Sequence, residues 1–134
     1  MTRVTGFTPE QVRAVVVRDE MCAMRGTNPA CNGRAETANH RLNRGAGGSK
    51  LRNGLANACG ICHVCNGLIE SDPDLAQIAR AQGVKLVEGD VPEDVALWSP
   101  FFAQWVWLTD DALELSGASN LYMPPDFHIP RVEL

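Results

Sequence analysis

Apolar and polar positions recur with different periods along this chain, and the changes of period divide it. In "FTPEQVRAVVVRDE", Val12, Val15 and Val16 recur at helical spacing. Thr8 can cap this helix, Pro9 suits its first position, and Gln11 completes a capping box. In "CAMRGTNPAC", Gly26, Asn28 and Pro29 break any regular element. "AETANH" reads as a short strand, "RLNRGAGGSKLRNG" as a glycine-rich loop, and "LANACGIC" as a second strand ending in a cysteine turn. "NGLIE" reads as a helix start. "SDPDLAQIARAQG" carries the clearest helical pattern: Ser71 or Asp72 caps it, Leu75, Ile78 and Ala79 share a face, and Gly83 stops it. "VKLV" reads as a short strand, and "WVWLTDDA" as a strand with Trp105 and Trp107 on one face, followed by a turn. "PPDFHIPRVEL" is proline-rich and reads as irregular. There is no internal repeat.

A length of 134 residues suggests one domain, and 45% hydrophobic residues allow a modest core. "MTRVTGFTPE" lacks the apolar segment of a signal peptide, and no run approaches the roughly 18 apolar residues of a membrane span. The expectation is a cytoplasmic protein with no membrane partner. The net charge of −4 argues against nucleic acid as a partner, but its distribution changes that picture. Residues 1–24 are balanced. Residues 25–69 carry Arg25, Arg34, Arg41, Arg44, Lys50 and Arg52 against Glu36 alone, and residues 70–134 hold twelve acids against Arg80, Lys85 and Arg131. A basic middle can attract phosphate despite the overall sign. No acid occurs from Thr37 to Ile69, whereas inert surfaces mix signs.

Five cysteines stand at 22, 31, 59, 62 and 65. In a reducing compartment they read as metal ligands plus one spare rather than as bridges. Cys59, Cys62 and Cys65 form two overlapping C-x-x-C spacings, and Cys22 and Cys31 supply a second, looser pair. Four thiolates suit a closed, structural zinc site. Spacing permits Cys59 with Cys62 or Cys62 with Cys65. The helix-like segment after Cys65 favours the second pair, leaving Cys59 as a buried small hydrophobe. His63, inside the cysteine turn, is an alternative ligand, and His128 reads as an exposed bystander. Trp98, Trp105 and Trp107 are expected in a core or lid.

Strand, glycine-rich loop, strand, C-x-x-C and helix, with a histidine leaving the first strand, resembles the HNH endonucleases. The residues that carry the resemblance are "NHRLNRGAGGSK", "LANACGIC" and "CNGLIESD". The similarity looks closest to small HNH proteins of phages and prophages of high-GC bacteria, and runs from about Cys22 to about Leu86. It implies an α+β fold with a ββα-metal core over residues 22–86. An N-terminal helix over 1–21 and a C-terminal strand and tail over 87–134 would flank that core. It implies His40 as general base, Asn57 as the middle asparagine that orients it, and Asn66 at the final position. Asn39 precedes the catalytic histidine, where the family often has an anionic ligand for its catalytic ion. Asn39 and Asn66 would then face a divalent cation (Mg²⁺, Mn²⁺ or Ni²⁺). Arg41, Arg44, Lys50 and Arg52 would hold double-stranded DNA by its phosphates, with Gly45, Gly47 and Gly48 letting the backbone approach. The expected activity is nicking or double-strand cleavage of DNA, in a context that can include phage packaging proteins. The rival reading is a non-catalytic zinc module that binds DNA or a protein. A third, an RNA-binding zinc protein, is disfavoured by the scarcity of aromatics near the basic loop.

Overall fold

The computed structural model describes residues 6–43, 54–119 and 121. Within them the fold is α+β, with three α-helices and two small antiparallel sheets. Helix α1 spans Pro9–Asp19 and begins as its sequence dictates. The Thr8 hydroxyl accepts from the Gln11 N–H at 3.1 Å, and the Gln11 side chain accepts from the Thr8 N–H at 2.9 Å. Strands β1 (Thr37–His40) and β2 (Ala58–Ile61) pair with Thr37 opposite Ile61 and His40 opposite Ala58. A 3₁₀ turn over Leu55–Asn57 leads into β2.

Helix α1 crosses one face of this two-stranded sheet. Gly60 makes the close approach possible, since a Cβ there would stand 2.8 Å from the Ala35 Cβ and 3.1 Å from the Asp19 Cβ. Asp19 accepts from the Gly60 N–H at 2.7 Å. Arg18 grips Asp19 at 2.7 Å and also donates to the carbonyls of Leu55 and Ala58. The helix end is thereby bound to the chain entering β2.

Helix α2 (His63–Ser71) starts directly after β2, earlier than the expected start at Asn66, because Cys62 caps it. Helix α3 (Pro73–Ala81) follows after one residue. Asp72 closes α2 with its backbone and caps α3 with its carboxylate, which accepts from the N–H groups of Asp74 and Leu75.

"VKLV" forms no strand. The N–H groups of Val84 and Lys85 both return to the Ala79 carbonyl, and that of Leu86 reaches the Arg41 carbonyl at 2.8 Å. The helix end and the loop after β1 thus take the donors a sheet would need. Gly83 turns the chain at φ 76°, and a Cβ there would collide with the Ala96 carbonyl oxygen.

The second sheet is β3 (Leu97–Ser99), β4 (Gln104–Leu108) and β5 (Leu113–Leu115), in that order. Alternation along β4 sends Val106 and Leu108 to the main core with Ile61, Ile69, Leu75 and Val84. Trp105 and Trp107 go to the other face and pack with Trp98 and Ala96. Trp98 and Trp105 meet edge-on at 5.7 Å. All three tryptophans are therefore packing residues of a second, smaller core.

Candidate functional site

Four thiols converge at one end of the β1–β2 ladder. The sulfurs of Cys22, Cys31, Cys62 and Cys65 all lie within 4.8 Å of one another. Cys22 and Cys31 sit on a loop pinned at its base by the Met21–Arg34 bridge and the Cys22 N–H to Gly33 carbonyl bond. Cys62 and Cys65 occupy the cap and first turn of α2, where helical spacing brings both sulfurs to one side. A zinc–sulfur distance of about 2.3 Å places the corners of a tetrahedron about 3.8 Å apart, so small movements close these sulfurs on one ion. Backbone donors already point at the ligands: the Cys65 N–H meets the Cys62 sulfur at 3.3 Å and the Gly33 N–H meets that of Cys31 at 3.4 Å. The Asn28 amide reaches the Cys65 sulfur at 3.5 Å. The four cysteines can hold a structural metal such as zinc.

The electrostatics fit that role. Burial pushes the Cys22 thiol far above its ordinary value. Burial pushes Cys65 up to about 12, with the Asn28 donor working the other way. At Cys62 burial also works upward but is outweighed by donors, the Cys65 N–H foremost, leaving it below the ordinary thiol. Buried thiols this close ionise together only when a cation compensates them. Cys59 lies outside the cluster, fully buried on β2. The His63 N–H, exposed at the start of α2, is held by the Glu36 carboxylate at 3.0 Å, and His63 is not among the four.

At the other end of the ladder stands His40, half-buried. Its ring stacks on Phe7, with centroids 4.1 Å apart and planes 13° from parallel. Its carbonyl accepts from the Lys85 ammonium at 3.1 Å. Asn57, buried, clamps the chain just beyond. Its side chain accepts from the Leu42 N–H at 2.7 Å and donates to the Leu42 carbonyl at 2.9 Å, while its own carbonyl takes the Arg41 N–H. Asn57 thus clamps the backbone two residues beyond His40.

Two expected site residues lie elsewhere than expected. Asn39 faces the core and is buried; its amide donates to the Val84 carbonyl at 3.0 Å and to the Cys59 sulfur at 3.4 Å. Strand alternation explains this, for neighbours on β1 point to opposite faces and His40 takes the α1 side. Both bonds use the amide nitrogen, and they hold the side chain on the core side of the strand, away from the His40 side. Arg41, expected on DNA, is 0% exposed. Its guanidinium donates to the carbonyls of Gly83 at 2.8 Å, Ala56 at 3.0 Å, Pro92 at 3.0 Å and Val95 at 2.6 Å. Burial lowers it to about 10, which still leaves it charged at neutral pH. Arg44, Lys50, Arg52 and the glycines at 45, 47 and 48 lie outside the described residues, as does His128.

Asn66 is half-buried in the first turn of α2. Glu70 follows it by one helical turn, so the two share a side of the helix. The Glu70 carboxylate pairs with Lys85 at 3.0 Å, and the same ammonium holds the His40 carbonyl and lies 3.5 Å from the Asn43 side chain. Lys85 therefore joins α2, the end of β1 and the start of the basic loop. Neither Glu70 nor Lys85 forms a motif of its own. The i, i+4 spacing of Asn66 and Glu70 was visible, whereas nothing in the sequence tied Lys85 to His40.

No family model matches the chain, and no curated protein or solved structure matches it. Among the described residues no helix is long and apolar enough to cross a membrane.

Proposed function

We propose that this chain is a metal-dependent DNA endonuclease of HNH type, stabilised by zinc on Cys22, Cys31, Cys62 and Cys65. The observation that carries the reading is the holding of His40. It ends β1, β2 and Lys85 grip its backbone, Asn57 clamps the loop behind it, and a helix carrying Asn66 and Glu70 is joined to it through Lys85. In this reading His40 takes a proton from the attacking water, a task suited to imidazole near neutral pH. A bound divalent ion would supply charge relief at the phosphate and the leaving oxygen. Hard cations prefer anionic oxygen. With Asn39 committed to the core, Glu70, whose side chain is 63% exposed and whose Oε1 pairs with Lys85, would join Asn66 as a ligand through its other oxygen. Arg44, Lys50 and Arg52 would hold duplex DNA through phosphates, with salt-sensitive and sequence-blind affinity. A phage or prophage origin and a cytoplasmic setting belong to the same reading.

The test is plasmid nicking with Mg²⁺, Mn²⁺ or Ni²⁺ against EDTA, on wild type and His40→Ala together. Loss of a positioned base should cost about 100- to 10,000-fold in rate. Equal cleavage by His40→Ala would sink this mechanism. The burial of Asn39 and Arg41 favours a second reading, a non-catalytic zinc module that binds DNA or a protein. Binding without cleavage under every ion would select it.

A further inference from the structure

We propose that Phe7 is a positioning residue for His40, setting the plane of its imidazole for proton transfer. The inference rests on the nuclease reading and adds to it a residue from outside the strand–loop–strand unit.

Three observations carry it. The first is the near-parallel stack of the two rings at 4.1 Å. The second is where Phe7 sits. It immediately precedes Thr8, the cap of α1, whose capping box and following Pro9 hold the chain in one conformation. The far end of α1 is locked to β2 through Asp19 and the Gly60 N–H. Phe7 is thus presented from a braced helix start. The third is Gly6, whose position would bring a Cβ to 3.9 Å from the His40 Cε1, so two successive residues follow the contour of the imidazole.

The geometry has a chemical consequence. The backbone of His40 is held by the β2 ladder and by Lys85, and the plane of its ring is set by its two side-chain torsions. A stacked phenyl covers a face of the imidazole and restricts rotation about the Cβ–Cγ bond. The ring nitrogens lie in the ring plane, so a stacked partner aims them without covering them. A general base must meet its proton donor within hydrogen-bond reach and alignment. Misplacement by an ångström can cost on the order of 100-fold. A residue at this position ordinarily serves only to fix the entry of the chain into the helix by apolar packing. Phe7 adds a flat contact with the one imidazole that ends β1.

The experiment compares Phe7→Leu and Phe7→Tyr with wild type. Leu keeps apolar bulk without a flat face, and Tyr keeps the face. The first readout is the His40 ring proton resonances in NMR, which needs no cleavage. They should move downfield in Phe7→Leu as the ring current is lost, and return in Phe7→Tyr. The second is plasmid nicking kinetics. In Phe7→Leu, kcat should fall about 10- to 100-fold with KM little changed, and Phe7→Tyr should recover most of it at unchanged zinc content and Tm. Unmoved His40 resonances in Phe7→Leu would overturn the contact. Moved resonances with undiminished kcat, or a loss that Tyr fails to restore, would overturn the positioning role alone. A wild type inert under all three ions would overturn the nuclease reading, and this proposal with it, and is seen before any variant is assayed.

Discussion

Replacing Arg41 by alanine distinguishes a phosphate-binding arginine from a structural one by magnitude. The side chain is fully buried and donates to four backbone carbonyls drawn from the 3₁₀ turn before β2, the turn after α3 and the segment entering β3. A buried acceptor left without its donor costs about 1–3 kcal/mol. Four of them, at the low end of that range, cost about 4 kcal/mol before any cavity is counted. A domain is stable by only about 5–15 kcal/mol in total. An exposed arginine on a loop would contribute within about 0.5 kcal/mol. The two roles therefore differ by close to an order of magnitude.

Urea unfolding followed by tryptophan fluorescence reads the difference, since all three tryptophans are buried. With a slope of about 2 kcal/mol per molar, the midpoint of Arg41→Ala should fall by about 2 M. Arg41→Lys keeps the charge but presents three donors from one nitrogen, which cannot span four separated carbonyls, so its midpoint should fall by an intermediate amount. On the DNA-binding reading, affinity and its salt slope should stay at wild-type values under conditions where the variants remain folded. A midpoint within about 0.3 M of wild type, together with weakened DNA binding, would refute the buried-clamp account.

The remaining expectations follow from the same contacts. Cys62→Ser should fold poorly and lose its metal, because Cys62 is both a member of the four-thiol cluster and the cap of α2, whereas Cys59→Ala should keep its full metal content by mass spectrometry. Asn39→Asp replaces the donor that faces the Val84 carbonyl with an acceptor; it should destabilise by about 2–4 kcal/mol in urea titration. Glu36 is held below the ordinary carboxylate range by the Asn32 amide first and the His63 N–H second. A carboxylate depressed in the folded state adds stability above its unfolded-state pKa, and that stability is lost as pH falls through the folded-state value. Glu36→Gln should thus melt below wild type at neutral pH, with the two Tm values converging in acid; an equal gap at both ends would remove the ionic contribution.

Legibility in the sequence followed how local each determinant was. The α1 capping box and the Asp72 cap depend on residues close in the chain, and the structure contains both; Cys22 and Cys31 meet the Cys62–Cys65 turn from far along the chain, and thiol chemistry rather than any local pattern marks them as partners. The faces of β1 were not legible, because "TANH" has no apolar alternation to mark an inside, so Asn39 and His40 could not be sorted. Arg41 misled for a related reason. In a basic, glycine-rich context it looks like its neighbours, and its burial depends on carbonyls as far away as Val95. Strands β3 and β5 span three residues each and arise by pairing to β4, which no local pattern announces.

The β1–β2 ladder also separates the thiol cluster from His40 in a way that bears on the proposed nuclease. The thiol cluster adjoins the Thr37–Ile61 end, through Cys62, and His40 stands at the end paired with Ala58, three steps or about 10 Å along the strand. A metal on the four thiols would stand too far away to take part in the chemistry proposed for His40. Its influence must pass through α2, whose first turn holds Cys62 and Cys65 and whose last turns carry Glu70 to Lys85 and, through that ammonium, to the His40 carbonyl. Stripping an ion from the thiols would free the start of α2 and loosen that link, so the proposed activity would be lost for a structural reason. On the nuclease reading, loss of activity in a chelator alone would therefore not separate a thiol-bound metal from the proposed catalytic cation. The informative comparison is oxygen-preferring ions returned to protein that has kept its thiol-bound metal, because only there does recovery report a cation acting beside His40 rather than the refolding of α2.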